Sequence, residues 1–142
     1  SIEQPIQPIK TALASGATFV AQSVSSDIKE LTSIIQQAID HKGFSFVNVF
    51  SPCVTYNKVN TYDWFKENLI SIADLEGYDV HNATGAMNSI MENDGLLKGI
   101  IYHNPDAPSY EEHIEGYDDQ PLISREMRLE RDTFDDMMAE FK

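Results

Sequence analysis

Cys53 is the residue whose type and place offer a starting point for chemistry. It is the single cysteine of 142 residues and stands in the run Ser51-Pro52-Cys53-Val54-Thr55-Tyr56-Asn57. A lone cysteine is commonly a small buried hydrophobe or an inert thiol. To act as a nucleophile it needs a partner that lowers its pKa, and no histidine stands near it in sequence. As a metal ligand it needs only companions, supplied from elsewhere in a longer chain or from a partner subunit. Both readings, inert thiol and metal-ligating thiolate, are open on the residues alone.

The other polar groupings point to less. His41, His81, His103 and His113 have no zinc-like spacing to one another or to Cys53 and read as separate surface or helix-end residues. Glu111, Glu112, Glu115, Asp118 and Asp119 do not follow the register of a calcium loop and read as a solvated acidic loop. Asp135 and Asp136 read as the exposed face of a helix. Asn82-Ala83-Thr84 has the form of a glycosylation acceptor but reads as a turn and helix cap. No G-x-G-x-x-G, Walker, G-x-S-x-G or H-E-x-x-H pattern is present.

The elements that must position Cys53 follow from periodicity. Pro8 opens a short helix over 9–14 that Gly16 closes, and 17–21 reads as a buried strand. Asp27 and Glu30 mark a helix start in capping-box spacing. Ile28, Leu31, Ile34, Ile35, Ala38 and Ile39 then form one apolar stripe, stopped at His41-Lys42-Gly43. Phe44 to Phe50 is a second strand. Strand, helix and strand make a right-handed βαβ unit, and the loop carrying Cys53 leaves its carboxyl edge, where open α/β sheets place ligands. Beyond it, a helix over 62–69 takes Asn60 or Thr61 as cap, and a helix capped by Thr84 runs to about Asn93. Leu96 to His103 is a third strand with a bulge at Gly99. Pro105 to Pro121 reads as a long surface loop. Arg125 to Phe141 reads as an amphipathic helix with Met127, Phe134, Met137, Met138 and Phe141 on its apolar side. The expected division is 1–103, an α/β unit, and 104–142, an acidic loop and helix.

Ten basic and 23 acidic residues give a net charge of −13. Such a chain repels phosphates, which argues against nucleic acid and anionic membrane surfaces as partners. Residues 104–142 hold 4 basic and 12 acidic side chains, 4 − 12 = −8 of that total. With 42% hydrophobic residues the chain is no disordered acidic tail. No run approaches a membrane span, no signal peptide is visible, and one cysteine marks no disulfide scaffold. The expected location is the cytoplasm. Without an initiator Met, Ser1-Ile2-Glu3-Gln4-Pro5 reads as the middle of a longer chain.

Ala14-Ser15-Gly16-Ala17-Thr18-Phe19-Val20-Ala21, then Gly43-Phe44 through the Ser51–Asn57 run, then Leu97-Lys98-Gly99-Ile100-Ile101-Tyr102-His103-Asn104 and Pro108–Glu112 resemble the β subunit of 2-oxoacid:ferredoxin oxidoreductases. The resemblance extends to about residue 115. It implies the C-terminal half of a doubly wound α/β domain that binds thiamine diphosphate and magnesium. The parent enzyme would decarboxylate a 2-oxoacid (2-oxoglutarate or pyruvate) and form an acyl-coenzyme A. Its electrons would pass through an iron–sulfur cluster to ferredoxin, and an α subunit would be its partner. By the same resemblance Cys53 is the fourth ligand of a four-iron cluster whose other three cysteines lie in the N-terminal half. The family's G-D-G motif and paired N-terminal cysteines are absent from this sequence. The chain alone is therefore expected to bind neither thiamine diphosphate nor a cluster and to be inactive. Two rivals remain: a free-standing acidic α/β interaction module, and a piece of another thiamine-dependent decarboxylase.

Overall fold

A strand with no exposed residue organises the molecule. The computed structural model describes residues 2, 5–114, 120–124, 128 and 130–141. In it β1, Phe19–Val24, is buried at all six positions. It lies second in a four-stranded sheet of order β2-β1-β4-β3, with β2 at Ser45–Phe50, β3 at Ile70–Ser71 and β4 at Leu97–His103. β1 pairs in parallel with β2 without interruption from Phe19↔Ser45 to Val24↔Phe50. It pairs antiparallel with β4, which in turn is parallel to the short β3. The sheet is mixed, an α/β fold with the expected βαβ unit intact and the third strand reversed against it.

β1 starts at Phe19 and not at Ala17, and it ends later than its apolar residues suggest, because Gln22 and Ser23 extend it. Both are polar and both are buried, which is tolerable only when their hydrogen bonds are satisfied inside. Gln22 Nε2 donates to the carbonyls of Gly95 at 2.7 Å and Leu97 at 2.6 Å, and Gln22 Oε1 accepts from Asn48 Nδ2 at 2.7 Å. Ser23 Oγ donates to Glu30 Oε2 at 2.7 Å. The irregularity between β1 and β4 falls between Val20 and Ala21, opposite Ile101, and not at the expected Gly99. Gly99 pairs regularly opposite Gln22 with φ +112°, a conformation that other residues rarely adopt.

Helices cover both faces. α1, Pro8–Ala14, and α4, Ala83–Glu92, pack on one face through Ile9, Leu13, Ala86 and Ile90 against Val20, Leu97 and Ile101. α2, Ile28–Asp40, packs on the other through Ile34 against Phe19 and Ala21. α1 has Pro at its first position as expected, and α2 begins with the Asp27 carboxylate accepting from the Glu30 amide at 3.3 Å. Thr61 caps α3, Tyr62–Asn68. α4 is capped by Asn82, whose Oδ1 accepts from the Gly85 amide at 3.0 Å, and not by Thr84, which lies within its first turn. The apolar stripe of α2 is split. Ile34 is buried and Leu31 and Ala38 are half-buried, but Ile28, Ile35 and Ile39 are exposed. Nothing among the described residues covers that flank.

The chain divides into two units, Ser1–Tyr110 and Glu111–Lys142. In the second, α5 spans Arg131–Ala139, and Phe134, Met137, Met138 and Phe141 are all exposed. Met127, also expected on that helix, and Glu115, Asp118 and Asp119 lie outside the described residues. No helix among the described residues is long and apolar enough to cross a membrane.

Replacing Gln22 by Leu would leave two carbonyls and the Asn48 amide without their partner. The expected cost is about 2–3 kcal/mol, measured by urea denaturation. A Gln22→Leu protein as stable as the parent would show that water takes over those bonds.

Candidate functional site

The carboxyl edge of the parallel pair gathers the groups with chemical potential. β1 runs directly into Ser25, Ser26 and the Asp27 cap of α2, and β2 runs into Ser51-Pro52-Cys53. The two exits are tied by the Ser25 amide donating to the Phe50 carbonyl at 2.8 Å. Cys53 is exposed and forms no disulfide. Its carbonyl accepts from the amides of Tyr56 at 3.2 Å and Asn57 at 2.8 Å. Asn57 Oδ1 in turn accepts from the amides of Val59 and Asn60 at 2.9 and 3.0 Å, and Lys58 Nζ donates to the Val54 carbonyl at 2.5 Å. The loop is thus braced by its own polar groups, while its apolar side chains Val54, Tyr56 and Val59 face outward with the thiol. Short-range bonds of this kind hold a loop in place without a buried core beneath it.

Beside the end of β1 lies an ion cluster that the sequence reading did not single out. Lys98 Nζ sits 3.2 Å from Asp27 Oδ2 and 3.4 Å from Glu30 Oε1. The hydrogen bond from Lys98 holds the Asp27 carboxyl below the ordinary carboxylate range, against an upward push from burial and with help from the Glu30 amide. For Lys98 burial acts downward, but Asp27 and Glu30 together outweigh it and raise the ammonium above its usual value. A signal for this cluster existed: Lys98 is the one cation in the otherwise apolar stretch Leu96 to Tyr102. Asp27, Lys98, Val24 and Ser26 line a groove of about 500 Å3 whose other side is α3, with Tyr62, Asp63, Phe65, Lys66 and Leu69. Phe65 stacks on Phe50 at 4.6 Å between ring centroids, which fastens α3 to the end of β2. Two cations and two carboxylates balance in this groove, so it has no bias toward anions. No nucleophile with an adjacent base lies in it.

The opposite edge corrects the histidine reading. His41, His81 and His103, expected to stand apart, come together, with His41 and His103 against Phe19 and His81 against His103. His41 and His103 lie 5.1 Å apart between ring centroids, and His81 and His103 lie 5.7 Å apart. The reason is topological: the end of α2, the loop before α4 and the end of β4 converge where β1 begins. His81 Nδ1 donates to the His103 carbonyl at 2.6 Å. His41 Nε2 lies 2.8 Å from Thr18 Oγ1, and that hydroxyl also accepts from the Phe44 amide at 3.0 Å and reaches the Phe44 carbonyl at 3.2 Å. All of these bonds are satisfied together when Nε2 of His41 carries the proton. His113 belongs to the second unit, in the short helical turn Glu111–His113. Among the described residues no three His, Cys, Asp or Glu side chains are arranged to hold a metal ion.

Residues 53–119 match the family described as the C-terminal part of the pyruvate ferredoxin oxidoreductase beta chain. A 2-oxoacid:ferredoxin oxidoreductase subunit beta of Sulfolobus is 35% identical over 124 residues, covering 80% of this chain and 41% of that protein. Subunit beta of 2-oxoacid:ferredoxin oxidoreductase 2 from Aeropyrum pernix is 31% identical over 148 residues, covering 94% of this chain and 48% of its own length. Among solved structures, a 2-oxoglutarate:ferredoxin oxidoreductase from Magnetococcus marinus with 2-oxoglutarate, coenzyme A and succinyl-CoA bound superposes with a TM-score of 0.69 at 33% identity. It covers 77% of this chain and 37% of that one. The chain thus spans less than half the length of the relatives it matches.

Burial, and then the neighbouring His103, hold the His41 pKa below its ordinary value of 6.5. As pH falls, the unfolded chain therefore takes up this proton before the folded one does. The His41 contribution to stability is full above that value and declines as pH drops below it. Urea titrations at about pH 7.5 and 5.5 should show a loss at the lower pH that His41→Gln reduces. An unchanged difference in the variant would place the titration elsewhere.

Proposed function

Because the chain belongs to the family of 2-oxoacid:ferredoxin oxidoreductase β subunits, we propose that it works as one part of such a subunit and supplies Cys53 as a single thiolate ligand of an iron–sulfur cluster. The family is one of oxidoreductases. The observation that carries the reading is the exposed, unpaired Cys53 on a braced loop at the carboxyl edge, at the first residue of the matched family segment.

The donor chemistry fits in part. Thiolates are the usual ligands of iron–sulfur clusters, and the Cys53 thiol is accessible without rearrangement of the loop. It is one ligand of the four such a cluster takes, so the other three come from outside this chain. For thiamine diphosphate and magnesium the fit is poorer, since no glycine-rich diphosphate cradle stands among these residues. When bound in the complete enzyme, these groups supply oxidative decarboxylation and single-electron transfer. What this chain does is hold a sulfur at a fixed place, keep α3 against β2 through the Phe50–Phe65 stack, and balance charge at the sheet edge through Lys98.

The reaction class we propose is conversion of a 2-oxoacid and coenzyme A to an acyl-coenzyme A, with release of carbon dioxide, two electrons and a proton. The electrons leave toward ferredoxin, and the enzyme is completed by an α subunit. Support comes from the names of the relatives and from the 2-oxoglutarate, coenzyme A and succinyl-CoA in the Magnetococcus structure. We take 2-oxoglutarate as the favoured 2-oxoacid over pyruvate, a choice supported by the 2-oxoglutarate bound in the Magnetococcus structure. With a charge of −13 this chain is an unfavourable landing face for an acidic electron acceptor. We therefore place ferredoxin docking on the rest of the complex, which we take to lie in the cytoplasm.

Cys53→Ser in the complete enzyme should abolish the visible iron–sulfur absorption of the β subunit and reduction of ferredoxin while leaving the subunit folded. A Cys53→Ser enzyme that keeps its cluster would remove the assigned role and favour a thiamine-dependent decarboxylase that needs no thiol in this loop. The chain alone, treated with iron and sulfide, should form no stable cluster, because one thiolate is too few.

A further inference from the structure

The segment that presents Cys53 is almost free of charge, in a chain that is not. Residues 43–62 contain one charged side chain, Lys58, although the whole chain carries 23 acidic residues and a net charge of −13. No carboxylate occurs between Asp40 and Asp63. In the neighbouring groove the cations Lys66 and Lys98 are matched by Asp27 and Asp63. Lys58 has no such counterpart within its own loop.

An exposed lysine ordinarily carries its ammonium out into water on a flexible stem. Lys58 folds back instead, and its Nζ donates to the Val54 carbonyl at 2.5 Å. The backbone beneath it is fixed on both sides. Before it, the Cys53 carbonyl accepts from the Tyr56 and Asn57 amides; after it, Asn57 Oδ1 accepts from the Val59 and Asn60 amides. The ammonium is thus bonded to the residue that follows Cys53. Adjacent Cα atoms are ~3.8 Å apart, which keeps charge and thiol within a distance on the order of 10 Å, where salt screens only in part.

Four thiolates make an iron–sulfur cluster anionic, and an added electron makes it more so, which is why net charge nearby shifts its potential. We infer that Lys58 sets the potential of the cluster proposed at Cys53, its ammonium favouring the reduced form and raising the midpoint. This rests on the reading of Cys53 as a cluster ligand. The electrons released from the 2-oxoacid pass singly. Each one turns a ferric iron ferrous on arrival and leaves it ferric again on departure to ferredoxin, and no proton or ligand is exchanged. Lys58 stabilises the charge that arrives and so eases its entry.

A redox titration of the complete enzyme, followed by electron paramagnetic resonance of the β-subunit cluster, tests this. The midpoint should move to a more negative potential in Lys58→Met and stay with the parent in Lys58→Arg. It should also stay in Lys42→Met, which removes a cation at the opposite end of β2. Iron content and line shape should be the same in all four proteins. A Lys58→Met midpoint equal to the parent's overturns the inference. So does an equal shift in Lys42→Met, which would make the effect one of net charge. Loss of iron from Lys58→Met also overturns it, since the lysine would then only brace the loop. The Cys53 reading fails on a different observation. An enzyme that loses its cluster as Cys53→Ser but keeps its potential as Lys58→Met retains the ligand and removes the inference. A cluster that survives Cys53→Ser and still shifts in Lys58→Met retains the cation and removes the ligand.

Discussion

The hydrogen bonds of Gln22 are the constraint on which the sheet depends. A primary amide at the centre of a strand with no exposed residue has to place two donors and its acceptor inside the protein, where an unmet polar group costs far more than it would at the surface. Gln22 gives both protons to carbonyls at the start of β4, Gly95 and Leu97, and takes one from Asn48 on β2. One side chain therefore sets where β4 enters the sheet and binds the βαβ pair to it. The register that results puts Lys98 beside the end of β1, within reach of Asp27 and Glu30. It also puts Phe50 where Phe65 can stack on it. A slip of one residue would reverse the faces of every side chain on β4 and separate Lys98 from its carboxylates.

That arrangement exports order to a loop with little core of its own. The Cys53 segment leaves β2 beside a stack of two phenylalanines and closes on itself through carbonyl and Asn57 bonds. For the role proposed for Cys53, a thiol that is to meet partners from another segment has to be held in place before they arrive, or the cost of ordering it falls on assembly. Here the ordering is local, while the outward Val54, Tyr56 and Val59 provide apolar surface for whatever surrounds the sulfur.

Much of α1 and of the βαβ unit was legible because their signals are local. Pro8, the Asp27–Glu30 spacing and the aromatic run before Ser51 each act within a few residues. The extension of β1 through Gln22 and Ser23 was not legible, because two polar residues count against a strand until their distant partners at 30, 48, 95 and 97 are known. The same holds for the cap of α4, where Asn82 and Thr84 are equally good on paper and only backbone geometry selects Asn82. Of the candidate site, the place of Cys53 at a carboxyl edge could be read from order alone. The convergence of His41, His81 and His103 could not, since the three are brought together by the antiparallel return of β4.

The polarity of the sheet explains why these two polar collections differ. At the start of β1, a helix end, a strand end and a loop arrive together, and the side chains pack on one another: imidazoles on Phe19 and on each other, with Thr18 and a backbone carbonyl taking their protons. Groups so occupied have little left to offer a ligand. At the other end the parallel strands both terminate, and the chain diverges into α2 and into the loop before α3, which opens a groove and leaves a thiol uncommitted. Divergence at the carboxyl ends of parallel strands is the reason α/β sheets bind there. In this chain that divergence separates the Asp27 cap of α2 from the Cys53 loop, which is why the groove and the exposed thiol lie at this end of the sheet and not at the other.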